Sequence, residues 1–355
     1  MKKVLEGKRV VVTGGTGSLG RILVKRLLSD EMGRPEKIIV FSRDEAKQHS
    51  MRVEYQHLRA ATDEIIYRNF QQLLQFWIGD VRDFSGVASV LRDADVVINA
   101  AALKQVPTCE YFPYEAVQTN IGGAENIVRA IQQHNLRVET VVGVSTDKAC
   151  KPVNAMGMTK AVQERIFTQG NMRCPGTRFV CARYGNVLAS RGSVIPLFHE
   201  QIRRGGPVTI TAPEMTRFLL SLDQAIDTVF AAIADAGRGE TYVPHTRSAR
   251  VVDVATALIG ERPVQQVTSG IRPGEKVHEI LVSEEEAHRT VDRGRWYAIL
   301  PMLPEVLGDR RAVPCLADEY SSSDDVMSLD EVRDLLRTQR LMVDDITGSR
   351  LERFP

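Results

Sequence analysis

The sequence predicts an α/β fold, namely a Rossmann-type doubly wound parallel sheet with a smaller C-terminal substrate-binding lobe. Three observations predict it. Short β-branched runs alternate with segments of helical periodicity through the first half of the chain. A glycine-rich turn directly follows the first of these runs, and the alternation stops near residue 186. We therefore expect residues 1–185 to form the sheet domain, joined by parts of later segments, and residues 186–355 to form mainly the lobe and a helical tail.

The composition is that of an ordinary globular protein. The chain has 355 residues, of which 43% are apolar, so it can bury a substantial core. Its 46 Lys and Arg residues nearly balance its 45 Asp and Glu residues, which argues against nucleic acid or an anionic membrane as a partner. We find neither a signal peptide nor an apolar run of about 18 residues, so we expect a cytoplasmic protein without membrane insertion.

The cysteines are spread along the chain without a CxxC pair or a His/Cys spacing typical of a metal site. This pattern predicts reduced thiols in the cytosol rather than disulfides, and it predicts no bound metal. The five residues are Cys109, Cys150, Cys174, Cys181 and Cys315.

The predicted strands are short, and most are rich in Val and Ile. In chain order they cover residues 8–14, 37–42, 75–80, 95–101, 138–146 and 178–185. Because such runs are apolar on both faces, they predict a parallel sheet with helices on each side. The clearest helical segments cover residues 19–30, 115–133, 222–236, 251–259 and 328–341. The last of these begins with Ser328 as N-cap and has Glu331 at the position of a capping box.

The first motif with chemical meaning is TGGTGSLG at residues 13–20, between the first predicted strand and the first predicted helix. Glycines at this spacing permit a tight turn and a close approach of the backbone to a pyrophosphate at a helix N-terminus. A glycine-rich turn alone is weak evidence for dinucleotide binding. Its position between a strand and an amphipathic helix makes that evidence stronger. We predict dinucleotide contacts from Gly14, Thr16, Gly17, Ser18, Leu19 and Gly20.

The end of the second strand predicts which dinucleotide is bound. An acidic residue there would accept a hydrogen bond from a ribose hydroxyl, whereas an arginine can hold a 2′-phosphate. The segment FSRDEAKQ has Ser42 and Arg43 at the strand end and Lys47 one turn later, which favours NADP over NAD. Asp44 follows at once, so a helix start with solvated charges is the competing interpretation.

The next two strands end in residues that suit the rest of this cofactor. Asp80 and Val81 end the third strand, where an adenine edge can be met. The fourth strand ends in small side chains, which would let a dinucleotide lie flat. These residues are Ala100, Ala101 and Ala102.

The fifth strand ends in STDKA, and the next helix begins with NAMGMTK. In many Rossmann-type dehydrogenases a tyrosine precedes a lysine by four residues on one helix face, but here Met156 precedes Lys160. A thioether cannot take or give a proton. Because ligands of doubly wound sheets bind at the carboxyl edge, Thr146, Asp147 and Lys148 become the candidate catalytic residues. The alternative interpretation is a helix cap with solvated charges.

A set of motifs over residues 8–282 carries a resemblance: TGGTGSLG, FSRDE, GDVRD, AALKQVP, STDKA, NAMGMTK, RYGNVLASRGSVIPLF, MTRFLLS and IRPGEKVHE. With them the chain resembles the extended short-chain dehydrogenase/reductase family, specifically its soluble UDP-N-acetylglucosamine 4,6-dehydratases of capsule, O-antigen and flagellin-sugar pathways. The tail DEYSSSDDVMSLDEVRDLL is similar to the ends of those enzymes. In that family the position of Met156 holds tyrosine or methionine, so the methionine does not imply an inactive enzyme.

The resemblance implies an internal redox cycle on UDP-N-acetylglucosamine. Hydride leaves sugar C4 for tightly bound NADP⁺, water is eliminated across C5 and C6, and the same hydride returns to C6, with inversion or retention at C5 left open. On this basis Asp147 takes the 4-OH proton and Lys148 the C5 proton. A lysine base near neutral pH requires a destabilised ammonium, which burial, Lys160 and the oxidised nicotinamide could supply. Thr146 is expected to hydrogen-bond the 4-oxygen, and Lys160 to hold the nicotinamide ribose.

The resemblance implies further contacts. Those expected with the cofactor come from Asn120, Ser145 and Tyr184. Those expected with the nucleotide sugar come from Lys104, Asn186, Val194, Arg217, Arg272 and Glu275. The guanidinium groups of Arg217 and Arg272 would face the two charges of the diphosphate, although a surface ion pair and a Pro-Gly turn are their plainer interpretations.

Relatives of this type associate through helices that flank the sheet. We therefore expect a homo-oligomer, with a hexamer among the expected sizes, to which extra loops such as 46–74 would add contacts. Other functions stay open. A UDP-hexose 4-epimerase or a 4-keto reductase would share the fold and cofactor but would ordinarily need a tyrosine at position 156. A catalytically silent NADP-binding regulatory or scaffold protein would leave the Asp-Lys pair without a role.

Overall fold

The computed structural model describes residues 2–57, 64–188 and 193–345. The centre of this described part is a nine-stranded sheet, and the six strands predicted from the sequence lie next to one another in it. They are β1 (Arg9–Thr13), β2 (Lys37–Ser42), β3 (Leu74–Ile78), β4 (Val96–Asn99), β5 (Thr140–Thr146) and β6 (Arg178–Tyr184). Their spatial order is β3-β2-β1-β4-β5-β6, and all neighbours run parallel. The predicted α/β class with a doubly wound sheet is confirmed.

Further strands follow in the second half of the chain. They are β7 (Asn186–Val187), β8 (Val208–Ile210), β9 (Thr216–Leu220), β10 (Thr241–Pro244), β11 (Ser248–Arg250), β12 (Gln266–Thr268), β13 (Ile280–Val282), β14 (Thr290–Asp292), β15 (Trp296–Ile299) and β16 (Tyr320–Ser321). β10 joins the main sheet parallel to β6, β15 follows antiparallel to β10, and β14 follows antiparallel to β15. The main sheet therefore contains segments from both halves of the sequence.

Helices cover both faces of the main sheet and build the lobe. Those before residue 186 are α1 (Ser18–Leu28), α2 (Glu45–Gln56), α3 (Glu64–Leu73), α4 (Phe84–Leu91), α5 (Val106–Tyr111), α6 (Pro113–Ala116), α7 (Gly123–Gln133) and α8 (Ala155–Arg173). Those after it are α9 (Val194–Arg203), α10 (Leu222–Asp235), α11 (Val251–Ile259), α12 (Glu284–Ala287), α13 (Pro304–Leu307) and α14 (Leu329–Thr338). The predicted capping box is present at the start of α14, where the side chains of Ser328 and Glu331 each accept the other's backbone N–H.

The single helix predicted over residues 115–133 is wrong in one respect, because the structure interrupts it. A π-helical segment, Val117–Gly122, separates α6 from α7. Within it the Asn120 side chain accepts a hydrogen bond from the backbone N–H of Leu103 at 2.9 Å and donates to the carbonyl of Leu103 at 3.0 Å. It also donates to the Thr159 hydroxyl at 2.9 Å. Asn120 therefore joins this segment to the loop after β4 and to α8, which α-helical spacing does not predict.

The description of residues 46–74 as a loop is also wrong, since α2 and α3 occupy most of this segment. Residues 58–63 lie outside the described residues. Met51 and Tyr55 of α2 and Phe70 of α3 are buried, and the rings of Tyr55 and Phe70 stack with centroids 5.3 Å apart. These apolar contacts stabilise the pair of helices against α1. The polar composition of α2 does not predict them.

The core has three main parts. Alternate residues of the central strands, such as Val12 and Ile98, face a cluster that includes α1 and α10. Their neighbours, such as Val11 and Val97, face a second cluster that includes α4 and α7. A separate apolar cluster joins α9, α11 and α14 in the lobe. Burial on both faces of the sheet is what the near-continuous apolar runs of these strands predict. None of the described helices has the length and apolar character needed to cross a membrane.

Candidate active site

A cavity of about 700 Å³ opens at the carboxyl ends of β1, β2, β4, β5 and β6. Doubly wound sheets bind their ligands at this edge. Its wall includes the cofactor candidates Gly14, Thr16, Gly17, Ser18, Leu19, Gly20, Ser42, Arg43, Lys47, Asp80, Val81, Ala100, Ala101, Ala102, Ser145 and Tyr184. It also includes the catalytic and substrate candidates Thr146, Asp147, Lys148, Met156, Lys160, Lys104, Asn186, Arg272 and Glu275. The fold thus brings together most of the residues that the sequence singles out.

Three of the candidates do not lie on this wall. They are Asn120, Val194 and Arg217. Asn120 is buried, and its side-chain amide is hydrogen-bonded to Leu103 and Thr159. It therefore lies behind the cavity wall. The neighbouring Thr119 lines the cavity instead. Val194 is the first residue of α9, directly after Ser193, which does line the cavity.

The turn after β1 has the shape that a pyrophosphate requires. Gly14 has a φ of 67°, and a Cβ there would lie 2.7 Å from the backbone nitrogen of Ala101. A Cβ on Gly20 would lie 2.5 Å from the Cα of Gly15, so α1 can approach the turn only because position 20 has no side chain. α1 begins at Ser18 with no acidic residue in its first turn, and its first N–H groups and its dipole can therefore bind an anion.

Two cations lie at the rim of this part of the cavity, and each is paired with a carboxylate. The guanidinium of Arg43 lies 3.6 Å from Asp80, and its side chain is 57% exposed. The ammonium of Lys47 lies 2.6 Å from Asp44. Ser42, at the end of β2, is buried beside them. Exposed ion pairs of this kind contribute little to stability, so a phosphate group can compete for both cations.

The Thr-Asp-Lys sequence forms a short 3₁₀ turn, Asp147–Ala149, directly after β5. The hydroxyl of Thr146 accepts the N–H of Lys148 at 3.4 Å and donates to Asp147 Oδ1 at 2.8 Å. The ammonium of Lys148 donates to the same oxygen at 3.0 Å. Asp147 is fully buried, and its Oδ2 has no partner among the described residues. The three side chains therefore form one hydrogen-bonded group at the carboxyl edge of the sheet.

A second carboxylate, Glu279, reaches Lys148 from the segment just before β13. Its Oε1 lies 3.1 Å from the Lys148 ammonium, and the residue is only 2% exposed. The ammonium of Lys148 thus lies between two buried carboxylates, one from Asp147 and one from Glu279. Glu279 itself is not on the cavity wall.

Arg217 is buried behind this group rather than facing the cavity. Its guanidinium donates to the carbonyls of Thr216 at 2.7 Å, Val277 at 3.1 Å and Lys276 at 3.0 Å. Its Nε lies 3.9 Å from Glu279. These contacts fix the segment 276–279 against β9. The expected contact of Arg217 with a diphosphate would require the guanidinium to leave these partners.

The charges of this group shift the pKa values of its members. Burial raises the pKa of Asp147, more than the neighbouring Lys148 ammonium lowers it. For Lys148 itself burial opposes the ammonium, but the charges of Asp147 and Glu279 outweigh it, so the pKa of Lys148 is raised. The sequence led us to expect a destabilised ammonium. The direction differs because Glu279, brought in by the fold, adds a second negative charge.

Helix α8 carries the Met156–Lys160 pair. Met156 is buried and packs in a small apolar cluster with Cys109. The ammonium of Lys160 donates to the carbonyl of Val144 at 2.6 Å and to the side-chain oxygen of Gln163 at 2.7 Å. Burial lowers the pKa of Lys160 to about 8. Met156 is thus a packing residue on the cavity wall, and Lys160 is held by the end of β5.

Several buried polar atoms on the cavity wall have no hydrogen-bond partner among the described residues. They are Thr119 Oγ1, Asp147 Oδ2, Asn186 Oδ1, Ser193 Oγ and Glu275 Oε2. Unpaired buried polar atoms are rare in native proteins and indicate a missing ligand or water. Together with the glycine turn, they fit a nicotinamide dinucleotide and a polar substrate. No group of three or more His, Cys, Asp or Glu side chains in the described part of the chain is placed to hold a metal ion.

A second cavity of about 760 Å³ lies around Arg183, and Ala149 and Cys150 at the end of the turn after β5 contribute to its wall. The charges at its base are paired, since Arg183 contacts both Glu164 and Glu286 at 2.6 Å. None of the described residues on its wall has a buried side-chain polar atom without a partner. The unpaired groups therefore favour the cavity at the sheet edge as the active site.

Comparison with known proteins identifies the family. Residues 10–301 match the family described as polysaccharide biosynthesis protein. The chain belongs to this family. A UDP-glucose 4-epimerase of Rickettsia typhi is 40% identical over 343 residues, which cover 93% of this chain and 96% of that protein. A UDP-glucose 4-epimerase of Rickettsia prowazekii is 40% identical over 346 residues and is covered to the same extent.

Solved structures give the same picture of this family member. The X-ray structure of Pen from Bacillus thuringiensis has a TM-score of 0.83 and 31% identity, and the match covers 95% of this chain and 99% of that chain. A dTDP-glucose 4,6-dehydratase from Streptomyces venezuelae, with NAD bound, has a TM-score of 0.62 at 21% identity over 76% of this chain and 86% of that chain. The latter likeness shows a shared fold. The epimerases and the dehydratase are named for nucleotide-sugar substrates, and this chain shares the family of the former and the fold of the latter.

Four residues that shape the site are not predicted from the sequence. They are Thr119, Ser193, Lys276 and Glu279. Lys276 donates to the carbonyl of Cys150 at 2.6 Å and so joins its segment to the end of the turn after β5. Lys276 and Glu279 both lie in the motif IRPGEKVHE, which gave the only sign of their importance. Their contacts with a turn far away in the chain depend on the fold of the lobe, which spacing does not reveal.

Proposed function

We propose that this family member dehydrates UDP-N-acetylglucosamine to its 4-keto-6-deoxy product for bacterial surface glycan or rare-sugar biosynthesis, with NADP as a recycled cofactor. The observation that carries the proposal is the pair of buried Asp147 and partly buried Lys148, 3.0 Å apart, on the cavity wall with Met156. An epimerase or ketone reductase of this fold needs one proton-transfer group near C4. A 4,6-dehydratase needs a second, because it also breaks the C5–H bond. The site has a carboxylate and an amine side by side.

The protein's own residues would hold the cofactor at the sheet edge. The turn from Gly14 to Gly20 would cradle the pyrophosphate, and Lys160, beside the carbonyl of Val144, would lie next to the nicotinamide ribose. When bound, the dinucleotide supplies the hydride acceptor and donor of the cycle. Ser42, Arg43 and Lys47 would surround a 2′-phosphate, which is why we propose NADP rather than NAD.

The turn after β5, Asp147–Ala149 with Thr146 as its N-cap, would perform the proton transfers, and we call it the catalytic turn. Asp147 accepts the 4-OH proton, while Thr146 positions the 4-oxygen. Because burial raises the pKa of Asp147, the carboxyl group can keep this proton and return it as the C6 hydroxyl leaves as water. Once Asp147 is neutral, the Lys148 ammonium has lost one of its two carboxylate partners. Its partly exposed side chain then releases its own proton to solvent water more readily. The neutral amine then takes the C5 proton, which the 4-ketone has made acidic, and the resulting ammonium returns a proton to C5 when the hydride reaches C6.

The nucleotide half of the substrate would lie toward the lobe. Arg272 and Lys104 on the wall supply positive charge for a diphosphate, and Asn186 and Glu275 each have an unpaired oxygen for hydroxyl or N–H groups of the substrate. Arg217 would act indirectly, by holding the segment that carries Glu275 and Glu279. Because the unpaired oxygens are acceptors, they suit a ligand with many hydroxyl groups, such as a nucleotide sugar.

The names of the Rickettsia relatives support a second candidate, a UDP-glucose 4-epimerase. An epimerase would return hydride to C4 and release an isomer of unchanged mass. The full-length protein should therefore be incubated separately with UDP-N-acetylglucosamine and with UDP-glucose, and the products analysed by mass spectrometry and NMR.

Our proposal predicts that UDP-N-acetylglucosamine loses the mass of one water, with no net formation of NADPH. NMR of the fresh product also gives the configuration at C5. Production of a C4 epimer alone would support the epimerase instead. Binding of NADP without turnover of either sugar would support a regulatory or scaffold role.

A further inference from the structure

We propose that Glu279 is a positioning residue, which holds the ammonium of Lys148 between itself and Asp147 and thereby controls when Lys148 can act as a base. The inference rests on the proposed function, because it gives Lys148 the role of proton acceptor. It adds a residue from a distant part of the chain to the Thr-Asp-Lys turn. Glu279 acts through Lys148, since it does not lie on the cavity wall.

The geometry around the ammonium is that of a bridge between two carboxylates. Lys148 Nζ lies 3.0 Å from Asp147 Oδ1 and 3.1 Å from Glu279 Oε1. Asp147 is fully buried and Glu279 is 2% exposed, whereas the Lys148 side chain is 21% exposed. Asp147 and Lys148 both line the cavity, whereas Glu279 is enclosed by protein behind them. A hydrogen bond to Asp147 and an ion pair with Glu279 restrict where the Lys148 amine can lie.

The backbone of Glu279 is fixed independently of Lys148. Its N–H donates to the hydroxyl of Ser322 at 2.9 Å, and its carbonyl accepts the N–H of Ser322 at 2.8 Å. The Ser322 hydroxyl also lies 2.7 Å from that of Thr216, next to Arg217. A carboxylate on a backbone held in this way can position a flexible lysine, because the segment that carries it does not need to move.

The charges of the surroundings nearly cancel. The charged groups that face Lys148 are Asp147 on its own turn, Glu279 before β13 and Arg217 on β9. Glu279 is faced in addition by Lys276. Removal of the Glu279 charge would leave Lys148 with one carboxylate instead of two, and the nearby Arg217 cation would then oppose the ammonium more strongly.

This arrangement gives the two proton transfers an order. While both carboxylates are ionised, Lys148 is held as an ammonium and cannot take a proton. Uptake of the 4-OH proton neutralises Asp147, and only Glu279 then stabilises the ammonium. Glu279 therefore keeps the base inactive until the sugar has been oxidised at C4, which avoids abstraction of a C5 proton that is not yet acidic.

The test is the Glu279→Gln variant, which keeps the size of the side chain and removes its charge. The pKa of Lys148 should fall, because an opposite charge within about 4–6 Å shifts a pKa by about 1–3 units. In single-turnover experiments the rate of elimination should rise with pH, because the fraction of Lys148 in its neutral, basic form rises. This rise should move to lower pH by about one unit or more in Glu279→Gln. An unchanged profile in a folded variant would overturn the proposal.

Two further variants separate this effect from a loss of structure. Glu286→Gln makes the same change at another buried carboxylate, which contacts Arg183 at 2.6 Å in the second cavity. It should lower the melting temperature without moving the pH profile. Glu279→Asp keeps the charge on a shorter side chain and should restore the native profile at a reduced rate. A shift of equal size in Glu286→Gln would mean that general destabilisation, not the Glu279 charge, moves the profile.

A measurement that needs no turnover distinguishes failure of this inference from failure of the proposed function. Lysines labelled with a heavy carbon isotope at the ε position can be titrated by NMR, and Lys148→Met identifies the Lys148 resonance. In Glu279→Gln that resonance should titrate at lower pH than in the native protein. An unchanged titration overturns the role of Glu279 whatever the enzyme's substrate is. A shifted titration without dehydration of UDP-N-acetylglucosamine would support the charge bridge and refute the dehydratase.

Discussion

At the scale of single residues, Met156 shows what the sequence can and cannot predict. Its four-residue spacing from Lys160 places both on one side of α8, and the fold puts both on the cavity wall. The neighbouring Asp147 and Lys148 could be identified as the polar group of the site from their position after β5. The raised pKa of Lys148 could not, because Glu279 becomes its neighbour only through the folding of the lobe.

Met156→Leu tests whether the methionine is only a packing residue. Met156 is buried in the small cluster that contains Cys109, and leucine has nearly the same volume. Urea unfolding should show a loss below about 1.5 kcal/mol in the free energy of unfolding, and much of the dehydratase activity should remain. Complete loss of activity in a folded variant would give Met156 a chemical role that our account lacks.

Arg43→Ala tests the proposed cofactor preference. The native protein should bind NADP more tightly than NAD. In the variant the ratio of the two dissociation constants should fall by about tenfold or more, as expected for the loss of a charge-assisted hydrogen bond. Titration calorimetry with both cofactors measures the ratio. Arg82→Ala is the matched control, because Arg82 also contacts Asp80, at 2.8 Å, but does not lie on the cavity wall. Equal affinities of the native protein for both cofactors would contradict the proposal.

At the scale of elements, the main strands and the longer helices follow from periodicity, whereas the exceptions arise from tertiary contacts. The π-helical segment exists because Asn120 bonds to Leu103 and Thr159. The helices α2 and α3 are held by contacts such as the stacked rings of Tyr55 and Phe70. The local sequence is polar and does not predict these contacts. Both exceptions concern side chains whose partners lie on other elements, and local spacing contains no information about those partners.

Asn154→Ala tests how the start of α8 is coupled to the substrate side of the site. The Asn154 side chain accepts the N–H of Gly157 at 2.8 Å as N-cap and donates to the carbonyl of Gly274 at 2.7 Å, in the turn between Arg272 and Glu275. The variant should lose about 1–2 kcal/mol of unfolding free energy and should also raise KM for the nucleotide sugar.

The control for this prediction is Ser328→Ala, which removes the N-cap of α14 in the lobe, away from the cavity wall. It should cost about 1 kcal/mol of unfolding free energy and leave KM unchanged. If both variants raise KM equally, the effect comes from lower stability and not from the link between α8 and the turn at Gly274.

At the scale of the whole molecule, the fold class could be predicted because the sheet is built from sequential strand–helix units. The contribution of β10, β14 and β15 to the same sheet could be predicted only in outline, since these short strands have no strong pattern. A group of exposed apolar side chains also becomes visible only in the fold. Its members lie on or next to α5, α6 and α8, which pack against one another, and they are Tyr111, Phe112, Tyr114, Val153, Met158 and Val162.

This apolar group supports the expected homo-oligomer, because exposed apolar patches of soluble proteins often mark interfaces. Light scattering at micromolar concentration should give a mass that is a multiple of 39.5 kDa. Phe112→Glu should shift the distribution to smaller particles. Val313→Glu, at a residue that is 81% exposed elsewhere in the lobe, should not. A native particle of 39.5 kDa would refute the oligomer.

The central claim is that Asp147 and Lys148 divide the proton transfers between them, and a single-turnover experiment with the two variants tests it most directly. Asp147→Asn and Lys148→Ala are loaded with NADP⁺ and mixed with UDP-N-acetylglucosamine, and the absorbance of the reduced nicotinamide is followed. Lys148→Ala should show the absorbance rise and then stall, because the 4-OH proton has an acceptor and the C5 proton has none. Asp147→Asn should suppress the rise, because an amide cannot accept the 4-OH proton. A full rise in Asp147→Asn with none in Lys148→Ala would contradict the account.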